Sequence, residues 1–397
     1  MIDRGSASTR ASTRVSTRAS RRPATLTQLG TQFADGFGAR FNALVLALYA
    51  LEIGGLRAFS GLLAVGMLGS VLSAVVSSVG TSRIGARRTM QASAAVLASA
   101  RAVSYAAVLT GFGVAPIMAS RFVGSVTGGV LMAGAKSQAP RDERAAASLA
   151  WFSVANGGGQ AAGAVAAGVV TAFATPAVVT VTGLAVGLGT IVPMYRIAGR
   201  SVAAAVPLRE QLRGQRAAAP VAAFGALVTL VAMGLVSLSD ALVVRLHSEA
   251  WLGPATAAAF TGALSAATYL RARPDVVRRD PLLAWPLLGV LALAGWQVAG
   301  MAWPFLLGTM AASGFAAQML GAMVEHHVIH RVPPGQASPA LAATAAAGSL
   351  ASALALLVVP ELVAIVGVQA TAALLAAASL GVAMAGSSAR RLALLPR

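Results

Sequence analysis

The chain alternates long apolar stretches with short polar gaps from residue 33 to residue 386. A stretch of about 18 or more apolar residues with few charges is long enough to cross a ~30 Å hydrocarbon layer as a helix. The pattern therefore predicts an all-α integral membrane protein with twelve transmembrane helices. The predicted spans are 33–54, 58–80, 89–110, 113–134, 146–169, 175–195, 219–246, 251–270, 282–298, 302–325, 338–359 and 361–386.

Basic residues occupy every second gap between these spans. Twenty-five of the 30 lysines and arginines lie in one set of gaps, and the opposite set holds only Arg57 and Arg245. Cytoplasmic loops of membrane proteins carry such an excess of Lys and Arg. We therefore expect a multi-pass protein of the cytoplasmic (inner) cell membrane, with both termini in the cytoplasm and an even number of crossings.

Composition agrees with a protein surrounded by lipid. The chain is 57% hydrophobic and its mean hydropathy is +0.76, well above a globular domain. The net charge of +18 is spread over alternate gaps, so we interpret it as topology and contact with anionic headgroups, not as nucleic-acid binding. The absence of cysteine excludes disulfides and thiolate metal sites. Residues 1–32 repeat Ser-Thr-Arg without an apolar face, which predicts a disordered tail.

The two halves of the chain look related. Residues 42–49, Asn-Ala-Leu-Val-Leu-Ala-Leu-Tyr, align with residues 240–247, Asp-Ala-Leu-Val-Val-Arg-Leu-His, and the gaps after the second and eighth spans are both rich in arginine. These features indicate parallel repeats, and in such transporters the substrate site lies near the midplane between the halves. The predicted organisation is a cytoplasmic tail (1–32), a six-helix bundle (33–196), a cytoplasmic central loop (197–218), a second six-helix bundle (219–386) and a cytoplasmic tail (387–397).

A loop signature suggests a family. Residues 78–88 read Ser-Val-Gly-Thr-Ser-Arg-Ile-Gly-Ala-Arg-Arg, which resembles the motif Gly-x-x-x-Asp-Arg-x-Gly-x-Arg-Arg of the major facilitator superfamily. In that family the acidic residue pairs with basic residues of a neighbouring helix and holds one conformation closed. Ser82 removes this charge, so the resemblance implies a less biased gate. The matching positions are Arg83, Gly85, Arg87 and Arg88, and the replaced positions are Ser78 and Ser82.

Two further segments are similar to motifs of the same family. Residues 121–129 resemble Arg-x-x-Gln-Gly on the fourth span. Residues 159–163 resemble the Gly-Pro-x-x-Gly signature of the antiporter branch, with Gln160 in place of proline. We interpret Gly159 and Gly163 as helix-packing positions in preference to a gating role. The resemblance implies two pseudo-symmetric six-helix bundles, a monomer and a drug- or metabolite-antiporter-like branch.

Polar residues form stripes on particular spans. In the first span Gln32, Asp35, Asn42, Tyr49 and Glu52 lie at intervals that place them on one helix face. Charged groups within a span cost roughly 2.5–3.5 kcal/mol each on insertion scales, so such a stripe should face the bundle interior. The resemblance implies that spans one, four, seven and ten surround the cavity. The candidate lining residues on these spans are Asp35, Asn42, Tyr49, Arg121, Asp240, Gln318 and Glu325.

Asp35 and Arg121 are the sharpest pair of candidates. In one interpretation Asp35 is a carboxylate that accepts a proton, and Arg121 either competes with that proton or binds substrate. In the alternatives Asp35 belongs to a fixed ion pair or lies in the headgroup region. Arg101 lies in the middle of the third span, which is peripheral in this family, so we expect a packed partner or snorkelling. His326 and His330 have metal-ligand spacing, but we favour a solvated helix end and predict no metal site.

The function that we predict is secondary active transport of a small organic compound by alternating access. We expect proton-coupled export powered by the proton gradient, with the lipid bilayer as environment and without a cofactor. An importer or facilitator of the same fold, a polytopic membrane enzyme and a non-transporting relative stay open as alternatives. Lys136 is the only lysine and no Gly-x-x-x-x-Gly-Lys motif occurs, which argues against ATP as the energy source. No histidine is followed by aspartate four or five residues later, which argues against an acyltransferase.

Overall fold

The computed structural model describes residues 26–136, 145–198, 208–246, 251–273, 303–331 and 337–391. These residues are helical apart from short turns. The predicted spans within them coincide with helices, except that the last span, 361–386, is interrupted at Gly367. The ninth predicted span, 282–298, lies outside the described residues. The helices are α1 (26–54), α2 (56–84), α3 (Ala86–Thr110), α4 (Val114–Lys136), α5 (Ala145–Phe173), α6 (Pro176–Ala198), α7 (Leu208–Leu246), α8 (Leu252–Ala272), α9 (Trp303–Arg331), α10 (337–366) and α11 (368–391).

Single glycines make two of the connections between helices. Gly55 joins α1 to α2 with a φ of 66°, and Gly367 joins α10 to α11 with a φ of 83°. Glycine adopts such positive φ values without steric cost. The sequence pattern predicted the second break near Pro360, and this boundary was wrong. Pro360 lies inside the helix, and transmembrane helices tolerate proline, because other groups can satisfy the backbone carbonyl that it leaves without a donor.

Some helices extend into segments that we predicted as tails or loops. Helix α1 begins at Leu26, inside the predicted tail, because Thr31 and Gln32 pack into the bundle and are buried. Helix α7 begins at Leu208, inside the predicted central loop, and α11 continues to Arg391. A sequence window that detects apolar residues misses these polar turns at helix ends.

The structure is that of a multi-pass membrane protein. Among the described residues, 7 helices are long and apolar enough to cross a membrane. Two of these stretches, Leu29–Ser77 and Ala343–Val382, are interrupted by Gly55 and Gly367, and each is long enough for two crossings. Large apolar side chains also remain on the outer surface, as Phe173 does with 87% of its area exposed. Such a surface suits lipid.

The two halves contact each other through two pairs of helices. Helix α5 packs on α8, where a side chain at Gly253 would meet the backbone of Gly168 at 2.9 Å. Helix α2 packs on α10, where Ala64, Ala353 and Leu356 form one buried cluster. Numbered by predicted span instead of by helix label, these pairs are spans five and eight, and spans two and eleven. Exchanging the two halves converts one pair into the other, as parallel repeats require.

A buried apolar cluster closes one end of the bundle. It contains Leu48 of α1, Ile117 of α4, Ala164 of α5, Leu238 of α7 and Val363 of α10, among other side chains of both halves. The charge pattern predicts that this end faces the outside. On α1, α3 and α4 the residues on the predicted cytoplasmic side of this cluster line a polar cavity.

Candidate functional site

The candidate site is a cavity of about 320 Å³ lined by α1, α2, α3 and α4. Four charged side chains line it, namely Asp35 and Arg40 of α1, Arg101 of α3 and Arg121 of α4. This volume lies at the lower end of the range for small-molecule sites, roughly 300–1,000 Å³. The cavity therefore combines a ligand-sized volume with charge at membrane depth. The lining also includes the hydroxyls of Ser70, Ser104, Ser120 and Ser125.

An amide relay from α5 holds the carboxylate of Asp35, which is only 9% exposed. The Asn156 Nδ2 atom donates to Asp35 Oδ2 at 3.4 Å and to the carbonyl oxygen of Gln32 at 3.3 Å. Gln160 Nε2 in turn donates to Asn156 Oδ1 at 2.5 Å. The residue that replaces proline in the antiporter-like segment thus fixes the amide that contacts Asp35.

Glycines bring α5 close enough for this relay. A side chain at Gly159 would lie 2.9 Å from the backbone nitrogen of Phe37, and one at Gly163 would lie 3.1 Å from its Cα atom. On the facing helix, a side chain at Gly36 would lie 3.2 Å from the Cα atom of Asn156. The two backbones therefore touch, which is the close approach that the packing interpretation of Gly159 and Gly163 requires.

A buried tyrosine links a residue of the candidate cavity to a second cavity. The hydroxyl of Tyr105, which is 1% exposed, donates to Asn42 Oδ1 at 2.6 Å, and Asn42 Nδ2 donates to the carbonyl of Gly38 at 2.7 Å. Tyr105 also lines the second cavity, of about 270 Å³, together with Tyr49 and Glu52. Asn42 thus lines the first cavity and Tyr49 the second.

Arg101 has the packed partner that we expected, and although its span is peripheral in the family, its side chain lines the candidate cavity. Its Nη1 atom donates to the carbonyl of Gly187 and, at 3.1 Å, to Thr190 Oγ1, both on α6. A side chain at Gly187 would lie 3.1 Å from Arg101 Cδ, so this glycine makes room for the arginine. The guanidinium also interacts electrostatically with Asp35.

Arg121 has a different environment. Its Nε atom is buried and has no hydrogen-bond partner among the described residues. Gly66 of α2 makes room for it, since a side chain there would lie 3.0 Å from that Nε atom. The charges of Arg101 and Arg40 act against the charge of Arg121, and the phenol of Tyr105 acts in favour of it. Within the described residues Arg121 therefore lies among like charges and has no ion-pair partner.

Arg40 connects the cavity to the second half of the chain. Its guanidinium lies over the ring of Phe260 on α8, 5.1 Å from the ring centroid, which is a cation–π distance. It also interacts electrostatically with Asp240 of α7, which is buried. Asp240 thus joins the charge network through Arg40 without lining the cavity.

The loop that resembles the family signature lies at the opposite end from the apolar cluster. Gly85 separates α2 from α3 with a φ of 82° and a ψ of 153°, a region that is almost restricted to glycine. Both the backbone N–H and the hydroxyl of Thr89 donate to the carbonyl of Gly85, at 3.0 and 2.9 Å. The side chains of Arg83, Arg87 and Arg88 are exposed, and the side chain of Ser82 lies outside the described residues.

The remaining candidates lie on α9. Gln318 is half-buried, whereas the side chains of Glu325, His326 and His330 lie outside the described residues. Among the side chains that the structure does describe, no group of three or more metal-ligating residues occurs.

Sequence reasoning did not assign Arg40 and Arg101 to the site, although both line the cavity and each is a charge within a span. It also missed Asn156, whose signal was a pair of amides, with Gln160, four residues apart on one helix face. Tyr105, which donates to Asn42, carried no such signal.

No protein-family model matches the sequence, and no curated protein matches it. Solved structures do match over nearly the whole chain. The human organic anion transporter MFSD10 (TETRAN) is 17% identical with a TM-score of 0.70, and the match covers 92% of this chain and 99% of that one. An autoinhibited POT family peptide transporter is 12% identical with a TM-score of 0.73, covering 92% and 96%.

The proton:xylose symporter XylE of the major facilitator superfamily is 12% identical with a TM-score of 0.61, and the match covers 90% of this chain and 94% of that one. The chain has the major facilitator fold. In the span numbers of that fold, the candidate cavity lies among helices one to four of the first bundle. The matched structures belong to several branches of transporters, so the antiporter-like branch stays a prediction.

Proposed function

We propose that the protein is a secondary active transporter that moves a small organic compound across the cytoplasmic membrane by alternating access. The observation that carries this proposal is the cavity that Asp35, Arg40, Arg101 and Arg121 line at membrane depth. Charged side chains within a bilayer are costly and usually mark substrate or ion pathways. The structures with the same fold are named as transporters of anions, peptides and sugars, which supports the same class.

Proton coupling at Asp35 is the second part of the proposal. Asp35 is the carboxylate among the charged residues that line the cavity. It interacts with Arg101 on one side and receives a hydrogen bond from Asn156 on the other. A proton that enters the cavity would therefore bind to Asp35, in the same cavity in which the arginines would bind a substrate. The proton gradient supplies the energy, and no cofactor is required.

The direction of transport depends on how proton and substrate interact at this place. If they compete, an inward proton gradient drives export by exchange, which is the direction that the antiporter-like segment favours. If each favours the binding of the other, the same gradient drives import by cotransport. Three arginines against one aspartate in the lining favour this second candidate, because they attract a substrate of negative charge.

Alternating access requires the contacts at the predicted external end to open. Helices α2 and α10 meet there and hold Arg57 against Glu361. Deeper in the bundle, the hydroxyl of Ser70 donates to that of Ser349 at 3.0 Å. These contacts join the two halves on the side of the apolar cluster, so their separation would expose the cavity to the outside.

Purified protein in liposomes provides the test. Counterflow with a panel of anionic, neutral and cationic compounds, with and without a pH gradient, should reveal exchange of at least one compound. In Asp35→Asn, exchange should persist while accumulation driven by pH disappears, because the amide mimics a permanently protonated carboxyl. Full pH-driven accumulation in Asp35→Asn would move the coupling role to Asp240 or Glu325. Absence of counterflow across the whole panel would favour a non-transporting relative.

A further inference from the structure

The charges around the candidate cavity do not balance. Each of two arginines interacts with one carboxylate: Arg101 with Asp35, and Arg40 with Asp240 of the second half. Arg121 is left over, because Arg101 and Arg40 act against its charge, and Tyr105, which acts in favour of it, is a phenol and not a carboxylate. Within the part of the chain that the structure describes, the cavity thus keeps one guanidinium without a counter-ion.

The position of Arg121 is suited to a ligand. Its side chain lines the cavity, and its buried Nε atom has no hydrogen-bond partner among the described residues. Gly66 leaves the space that the guanidinium occupies, and Ser125 stands beside it, as a side chain at Gly66 would lie 3.4 Å from the Ser125 hydroxyl oxygen. A guanidinium that is largely removed from water and has no counter-ion is unfavourable unless a ligand supplies the negative charge.

We propose that the cavity binds a small organic monocarboxylate, whose carboxylate group pairs with Arg121. One uncompensated cation calls for one negative charge, and the planar guanidinium presents parallel N–H donors that match the two oxygens of a carboxylate. The serine hydroxyls and the apolar side chains of Leu46, Leu63 and Leu97 supply the rest of the lining. This inference rests on the proposed transport function and specifies its substrate class.

The same charge count sets the sign of proton coupling. A proton on Asp35 removes the negative charge of the lining and strengthens its attraction for an anion. By linkage, the bound anion favours the proton to the same degree. The charged and titratable groups around Asp35 are Arg40 on its own helix, Arg101 and Tyr105 on α3, Arg121 on α4, and Asp240 across the interface. Proton and monocarboxylate would therefore move in the same direction.

Equilibrium binding to the purified full-length protein in detergent tests the substrate class. The probes are benzoate and its neutral amide, benzamide, which have nearly the same shape. Benzoate should bind, and benzamide should bind at least tenfold more weakly. Arg121→Gln should weaken benzoate binding by about tenfold to a hundredfold, the range for losing a hydrogen bond to a charged group. Arg273→Gln, which changes an exposed arginine outside the cavity, should leave benzoate affinity unchanged.

Two more measurements separate a binding role from a structural one. Arg121→Lys keeps the charge and should retain part of the affinity, so a folding defect in Arg121→Gln cannot decide the result. Asp35→Asn should tighten benzoate binding, and the affinity of the wild type should rise as pH falls while benzoate stays ionised. Weaker binding in Asp35→Asn, equal affinity for the two probes, or no loss in Arg121→Gln would each overturn the inference.

Counterflow in liposomes separates this inference from the proposed function. Exchange of a neutral or cationic compound by a protein that binds no benzoate would support transport and refute the anion site. Benzoate binding that requires Arg121, without counterflow of any compound, would support the anion site and refute transport. Benzoate counterflow, together with accumulation of benzoate in the more alkaline compartment when a pH gradient is imposed, would support both.

Discussion

The two halves of the chain share one architecture but enclose opposite kinds of space. The first half surrounds the cavity of about 320 Å³ with four charged side chains. Among the described residues of the second half, α7, α9 and α11 enclose a cavity of about 40 Å³. Its lining is apolar apart from the hydroxyls of Ser313 and Ser379, and consists of valine, leucine and alanine otherwise, as at Val228, Leu235 and Ala316.

The difference between the two cavities indicates that the fold itself does not require charged side chains in a cavity lining. The small apolar cavity of the second half is packed with apolar side chains, and this packing stabilises the bundle without a charge in the cavity lining. The first half accepts several charged groups, each of which costs roughly 2.5–3.5 kcal/mol on insertion scales. The concentration of such charges in the lining of one cavity indicates that they serve function. The second half takes part in the network mainly through Asp240, beside Arg40.

The strongest test of this contrast removes one polar group from each cavity. Arg121→Ala should reduce both exchange and pH-driven accumulation by about a hundredfold or more, because it deletes the binding charge of the site. Ser313→Ala, in the apolar cavity, should leave both within about twofold. Initial rates in liposomes, corrected for the amount of reconstituted protein, measure both variants. Equal losses in the two variants would remove the distinction between the halves.

Much of the fold could be predicted from the sequence, because apolar length and charge alternation are local signals. Most spans lay within a few residues of the observed helices. The boundary between α10 and α11 was misplaced, because a proline such as Pro360 is typical of a helix end. The actual boundary depends on the backbone of Gly367, whose φ is 83°. A pattern of residue types does not reveal φ. The orientation of the termini stays a prediction.

The candidate site was harder to predict because it depends on which helices touch. Asp35, Asn42 and Arg121 were singled out by polarity, and the structure brings all three to one cavity. Arg101 was expected to be peripheral, since its span is outer in the family. Its reach to the cavity depends on Gly187, a residue of α6 that is far away in sequence. Contacts between distant segments of this kind leave no local pattern.

The loop at Gly85 gives the next largest expected effect. Gly85→Val would force a branched side chain into a backbone conformation with φ of 82° and ψ of 153°, at a cost of order 1–3 kcal/mol. We expect transport to fall at least tenfold while the protein still reaches the membrane. The matched control is Gly381→Val in α11, an exposed helical position of the second half with open space around it. Transport rates and membrane fractions distinguish the two variants.

The result also bears on the family resemblance. A second variant, Ser82→Asp, restores the acidic residue of the signature and should shift the equilibrium toward one gate state. Labelling of the outer cavity that stays unchanged in both loop variants would argue against a gating role for residues 82–88. The contrast between the cavities would then stand on the arginine variants alone.

A smaller effect is expected from the amide relay behind Asp35. Gln160→Leu removes the donor that holds Asn156 Oδ1 at 2.5 Å, so Asn156 should orient the carboxylate less well. The loss of one such hydrogen bond is worth about 1 kcal/mol, which corresponds to roughly a fivefold decrease in pH-driven accumulation. Gln91→Leu is the control, because Gln91 donates to the Tyr195 hydroxyl at 3.0 Å on the exposed surface. No difference between the two variants would exclude a role for the relay in coupling.

The smallest effect is expected where the two halves meet at the predicted external end. Arg57 and Glu361 form a two-bond ion pair, with Nε–Oε1 at 2.7 Å and Nη2–Oε2 at 2.8 Å. Their side chains are 71% and 47% exposed, and exposed ion pairs contribute only about 0–1 kcal/mol. Breaking this pair should therefore favour the outward-open state by no more than about fivefold.

Cysteine labelling measures this shift cleanly, because the chain contains no cysteine of its own. A single reporter, Val179→Cys, lies in the wall of the second cavity. Its labelling rate should rise about two- to fivefold in Arg57→Glu and in Glu361→Arg, since each places like charges together. The double variant Arg57→Glu with Glu361→Arg restores opposite charges and should return the rate to that of the parent. If either single variant impaired transport more than Arg121→Ala does, the external contact and not the charged cavity would dominate the cycle, and the contrast between the two halves would lose its functional meaning.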